Sequence, residues 1–230
     1  MKRISVFLVI TLFLLSGFVY AGEVAQFVNL GFSPDSRTFV FGQFGINRST
    51  SAPFASLFVV DVERNDFVRN GTYRSSETAP VSVGQNGAGA LFNLLHEASP
   101  VIQQHQVNHS LQGRLVYLFI NGQEPRSRIT FRDFNNSNHY EINLIQQSRG
   151  SGENQAAAFH LRVSATTSAG RVVHQTIGLP DFFRAGISRY RIRQVLLSPD
   201  ERSIVVVVER IAVTPQGERI DFMVETARLF

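Results

Sequence analysis

The chain has 230 residues, 43% of them hydrophobic, 17% charged and none of them cysteine, which excludes a disulfide framework, thiolate chemistry and acylation of an N-terminal cysteine. Its formal charge is +4 from 22 basic and 18 acidic residues; setting aside Lys2 and Arg3 leaves 20 arginines and a net charge of +2. Those arginines are scattered rather than gathered into the basic face that a nucleic-acid binder concentrates, so nucleic acid is not expected as a partner.

The N-terminal segment comes first. Lys2 and Arg3 precede an apolar run from Ile4 to Leu15, and Val19 and Ala21 stand at the small-residue positions of a cleavage site ahead of Gly22. Residues 1–21 therefore read as a secretory signal peptide, with a retained membrane anchor as the alternative. A single β-rich domain is expected over 22–230, secreted or periplasmic, touching a membrane only through that segment if it stays uncleaved. No later run is long enough to cross a bilayer; "SIVVVV" at Ser203–Val208 is far too short.

From residue 23 onward β signals dominate. Twenty phenylalanines join many Val and Ile, residues suited to a pleated, half-buried surface. "EVAQFVNLGFS", "TFVFGQFGI" and "ASLFVVDVE" form a first three-stranded meander. "YRIRQVLLS", "SIVVVVERIAV" and "RIDFMVETARL" form a matching one at the other end. Between them, "RLVYLFING", "SRITFRDF" and "HYEINLIQQ" suggest a third set. "AAFHLRVSAT" and "RVVHQTIG" suggest a hairpin around Gly170. One stretch breaks the pattern. Residues 89–107, "GALFNLLHEASPVIQQHQV", place Leu91, Leu94, Leu95, Ala98, Ile102 and Val107 near helical spacing, and Pro100 is expected to end or kink one helix and to open a second. The fold class is thus mainly β, antiparallel meanders forming a propeller-like or sandwich domain, with one helical insertion.

One phrase occurs twice: "FSPDSRTFVF" from Phe32 and "LSPDERSIVV" from Leu197. Pro34 and Pro199 fix φ near −65° at the second turn position, and Asp35 and Asp200 can accept hydrogen bonds from backbone N–H groups just ahead. Ser33 and Ser198 repeat too. The chemistry of a capped turn accounts for these residues, so Ser33, Pro34, Asp35, Ser198, Pro199 and Asp200 read as structural rather than catalytic.

The grammar resembles the "SPDG" turns of TolB-type and WD40-like β-propellers, although Ser36 and Glu201 replace the glycine. Ser33 and Ser198 lie 165 residues apart, near four blade steps at about 40–45 residues each. A wider resemblance covers almost the whole chain after residue 21. "ALFNLLHEASPVI", "GRLVYLFINGQEP", "ITFRDF", "YEINLIQ", "GLPDFFRAGISRYRIRQVLLSPDERSIVVVVE" and "MVETARL" together resemble an uncharacterised family of predicted secreted bacterial proteins, a domain of unknown function. That resemblance implies export and a β-rich domain. It carries no activity, cofactor or site residue.

Few residues carry a recognisable chemical pattern. His105 and His109 are four apart, the spacing of a zinc pair on a helix, but lack the HExxH glutamate and read as solvent-facing. Asp133, Asn135 and Ser137 offer oxygens, without the carboxylates and glycine pivot of a calcium loop. No nucleophile elbow or phosphate-binding loop occurs, and neither a metal nor a cofactor is expected. "SRYRIRQ" at Ser188–Gln194 would put Arg189, Arg191 and Arg193 on one side of a strand, as a small anion-binding stripe or simply a solvated face. The expected function is a non-enzymatic binding or structural β domain in the cell envelope, for a protein, peptide or glycan. The alternative is an extracytoplasmic hydrolase with a site assembled from Asp35, Asp133, Asp181, Asp200 and His174.

Overall fold

The structure, a computed structural model, describes residues 23–77, 79–82, 84–215 and 217–230. The signal segment expected at 1–21 lies outside the described residues. Among the described residues thirteen strands fall in chain order: β1 (Glu23–Val24), β2 (Gln26–Phe32), β3 (Thr38–Ile46), β4 (Pro53–Asp61), β5 (Asp66–Ser76), β6 (Arg114–Leu118), β7 (Arg128–Arg132), β8 (His139–Arg149), β9 (Ala156–Thr166), β10 (Val172–Ala185), β11 (Arg189–Leu197), β12 (Ser203–Thr214) and β13 (Gly217–Arg228). Two helices, α1 (Ala88–Glu97) and α2 (Ser99–Gln104), separate β5 from β6. The break at Ala98 comes where Pro100 opens the second helix, as its missing N–H and fixed φ favour.

The strands form three sheets. Sheet B is the meander β2-β3-β4-β5, sheet C is β10-β9-β8-β7, and sheet A runs β1-β13-β12-β11-β6. Both terminal meanders expected from the sequence are present, the first extended by β5. The middle set divides. β7 and β8 join the β9–β10 hairpin, while β6 leaves them to pair antiparallel with β11.

Sheet A lies between the other two, and β12 shows why. Its alternate residues point to opposite faces. Val205 and Val207 pack with Phe39, Phe41, Phe58 and Val60 of sheet B. Ile204, Val206 and Val208 pack with Tyr140, Ile142, Leu161 and Val163 of sheet C. A strand buried on both sides reads as an unbroken apolar run, which is the physical meaning of "SIVVVV". Sheet B is covered on its far side by the helices, where Val40, Leu57 and Val59 meet Leu91, Leu94 and Ile102. Gly42 permits that approach, because a Cβ there would stand 2.6 Å from Leu91 Cδ1. The B–A interface is rich in rings: Phe41 stacks on Phe58 at 4.9 Å and on Phe27 at 5.6 Å between centroids.

The repeated phrase forms two turns with the same bonds. Ser33 N–H donates to Thr38 O (2.9 Å), and Ser198 N–H to Ser203 O (3.0 Å). Each serine hydroxyl donates to the aspartate two residues on and accepts the N–H of Thr38 or Ser203 at 2.9 Å. Each aspartate also accepts an N–H from the arginine that follows, at 3.1 Å. The position that is glycine in "SPDG" takes positive φ in both copies, +59° at Ser36 and +57° at Glu201.

Candidate functional site

β11 places the arginine stripe. Tyr190 and Ile192 are buried in the A–C core. The arginines take the opposite side, the one turned towards sheet B. The ladder with β12 is regular from Arg189 to Ile192 and then slips, so that Gln194 opposes Val207 and Arg193 has no partner. This β-bulge keeps Arg193 near the Arg191 side instead of letting simple alternation carry the strand on.

The bulge aims two guanidiniums at one carboxylate. Arg191 lies opposite Glu209 in the ladder and donates to its Oε2. Arg193 Nη1 stands 3.7 Å from Glu209 Oε1 and donates to Asn121 Oδ1 at 2.8 Å. The Glu209 side chain is only 4% exposed, a burial tolerated because the charge is paired. Both guanidiniums also lie over the ring of Phe119, at 4.6 Å and 5.9 Å from its centroid. Arg189 stands apart, paired with Glu218 at 2.6 Å near the surface.

Arg191, Arg193, Glu209, Phe119 and Asn121 line a cleft of about 490 Å³ at the end of the B–A interface. Its walls come from residues 24–27, where the chain crosses from sheet A to sheet B, from Asn121–Gln123, and from Gln194 and Phe222. Phe222, Glu209 and Arg191 sit side by side on three adjacent strands. Two cations against one anion leave this floor with one surplus positive charge, amid the amides of Gln26, Asn121, Gln123 and Gln194. Such a surface can accept a carboxylate or other oxyanion.

The chain belongs to the family described as "Predicted secreted protein (DUF2259)". The family model matches residues 40–228, from within β3 to the end of β13. Membership carries the family's description as secreted, in line with the export read from residues 1–21. It adds no activity. No curated protein and no solved structure matches the chain.

The other residues singled out in the sequence fall as follows. Asp35 and Asp200 are held within their turns, and hydrogen bonding from Ser33 keeps the Asp35 carboxyl below the usual carboxylate range. Asp133 receives both terminal nitrogens of Arg114, at 2.6 and 2.7 Å. That fork lowers its pKa against the opposing effect of burial. Arg114 also reaches Glu201 at 2.7 Å, so the oxygens of the Asp133 loop serve an ion-pair network. Asp181 is exposed in a break of β10. His174 meets Ser164 Oγ through Nδ1 at 2.8 Å on the outer face of sheet C. Asp35, Asp133 and Asp200 lie in three turns that are linked through Ser36 and through Arg114 and Glu201, while Asp181 lies in β10 and His174 on the outer face of sheet C. His105 caps α2 and stands 3.4 Å from Thr38 Oγ1, while His109 Nδ1 contacts Leu30 O. The helix ends before either, so the pair does not share a helical face. Among the described residues no group of three His, Cys, Asp or Glu is arranged to hold a metal.

Sequence reasoning missed Glu209, Phe119 and the amides. Glu209 had a signal: it follows Val205 and Val207 on one face of β12, a lone acid in an apolar row.

Proposed function

We propose that this protein is an exported, non-enzymatic binding domain, secreted or periplasmic, that captures a peptide or glycan through an acidic group. The observation that carries the reading is the pair Arg191 and Arg193 converging on the single buried carboxylate of Glu209 at the floor of an open cleft. The bulge at Arg193 pre-sets that geometry, so little side-chain entropy remains to be lost on binding. The surrounding amides offer both donors and acceptors to a polar chain.

The test is a titration of the purified protein with a glutamate-rich hexapeptide, a uronic-acid oligosaccharide and their uncharged counterparts, at low and high salt. Saturable binding of either acidic ligand, weakened by salt and lost in an Arg191→Gln/Arg193→Gln variant that still melts cooperatively, supports the reading. Equal binding of charged and uncharged ligands sinks it. So does an unchanged set of partners captured from an envelope extract by an Arg189/Arg191/Arg193→Ala variant.

A further inference from the structure

A second cleft, of about 160 Å³, opens on the far edge of sheet A and is lined by Asn65, Asp66 and Phe67 of sheet B, Gly178, Leu179 and Arg184 of sheet C, and Met223–Glu225 of β13. Beyond its short pairing with β1 at Arg219 and Ile220, the outer edge of β13 is covered by side chains in place of another strand. Gln43 Oε1 accepts the N–H of Phe222 and Asn65 Oδ1 that of Thr226, each at 2.7 Å. Val224 lies between them with its N–H directed the same way. Among the described residues no side chain caps that N–H as Gln43 and Asn65 cap its neighbours.

Arg184 supplies an unpaired donor. The register of β10 breaks between Leu179 and Arg184, where Pro180 cannot donate to the ladder. Beyond the break the Arg184 guanidinium is enclosed by aromatic rings, 4.9 Å from the Phe182 centroid, 5.6 Å from Phe159 and 5.9 Å from Tyr190. Its Nη1 is buried with no hydrogen-bond partner, a state that costs free energy until an acceptor arrives. Glu225 forms the opposite wall. Its Oε2 accepts from Asn65 Nδ2 at 2.5 Å, and Gly178, at φ +88°, leaves room for it: a Cβ there would stand 3.2 Å from Glu225 Oε1.

We infer that this cleft binds a carboxylate carrying a short apolar chain, its oxygens accepting from Arg184 Nη1–H and Val224 N–H and its chain lying on Leu179 and Phe67. Those two side chains are 60% and 50% exposed at the rim. The volume holds about five water-sized groups at about 30 Å³ each, a carboxylate and roughly three carbons. Burial raises the Glu225 pKa, against the hydrogen bond from Asn65 and the nearby charge of Arg184, which both lower it. The remaining charged groups lining the cleft are Asp66 and Arg184. The shared chemistry has two sources, a free short-chain acid or the C-terminus of a peptide ending in an aliphatic residue.

The experiment follows backbone amide and arginine side-chain NMR signals while the protein is titrated with isovalerate, with N-acetyl-leucine and with uncharged isovaleramide. Saturable shifts at Val224 and Arg184 with either carboxylate, and weaker binding of isovaleramide by tenfold or more, support the site. The tighter of the two carboxylates names the source. Arg184→Met is expected to weaken binding at least tenfold, and Leu179→Ser, on the exposed rim, several-fold with the fold retained. The proposal is overturned if neither carboxylate binds, if isovaleramide binds equally well, or if the shifts map elsewhere. Should Arg184→Met fail to fold, unchanged affinity in Leu179→Ser overturns the placement of the chain.

Discussion

The N–H of Asp200 donates to the hydroxyl of Ser36 at 3.3 Å, joining two copies of one phrase across 164 residues. Each copy closes the first hairpin of a three-strand run, one in sheet B and one in sheet A. The sheets pack with these turns at the same end, so the copies touch. A glycine at position 36 would relieve the left-handed strain but would remove this bond.

The serines matter more than the prolines in these turns. Ser33 and Ser198 are 3% and 1% exposed, and each hydroxyl satisfies a strand-opening N–H. Ser33→Ala and Ser198→Ala each leave that donor buried without a partner, and each is expected to cost about 1–3 kcal/mol in urea unfolding. Pro34→Ala is expected to change stability by no more than about 1 kcal/mol, since proline acts there through the unfolded chain. Equal effects from serine and proline would contradict the bonding described for the turns.

Much of this was legible because it is local. Pro-Asp turns, strand periodicity and the helix break at Pro100 depend on neighbours in sequence. The pairing of β6 with β11 does not, and "RLVYLFING" gives no sign that it leaves the strands beside it. The cleft floor was half legible. Alternation put the arginines on one face, but the bulge at Arg193 and the acid that faces it arise from pairing with β12. The Arg184–Glu225 cleft was invisible, because it is made where three sheets meet.

Asp133 and Glu225 pull the pH dependence in opposite directions. The Asp133 pKa is depressed in the fold, chiefly by its bonds from Arg114, so its contribution is present above the unfolded carboxylate pKa of about 4 and is lost as the pH falls below it. Asp133→Asn is expected to cost about 2 kcal/mol at pH 7, below the range for a fully buried pair because the Arg114 side chain is 32% exposed. The cost should shrink in acid. Urea midpoints between pH 3 and pH 8 check both the size and the slope.

Glu225 behaves in the reverse sense. Its folded pKa is raised by burial, so stability is fullest below the unfolded pKa and declines as the pH rises through the folded one. Glu225→Gln keeps an oxygen for Asn65 and removes the titration. It is expected to be more stable than the native protein at pH 7–8 and equal to it near pH 4. A constant difference across that range would rule out titration as the cause.

The placing of sheet A at the centre predicts that neighbouring valines of β12 are equally costly to truncate. In a sheet with one solvated face, one of each adjacent pair would tolerate the loss. Here Val205 faces the rings of sheet B and Val206 faces the aliphatic and tyrosine side chains of sheet C, and both are fully buried. Val205→Ala and Val206→Ala are each expected to cost about 2 kcal/mol, from lost burial plus the cavity left behind. The two substitutions act on different interfaces and share no partner side chain, so the double variant should lose close to the sum. If either single variant melted with the native protein, that face of β12 would be open to solvent and the three-layer arrangement would fail.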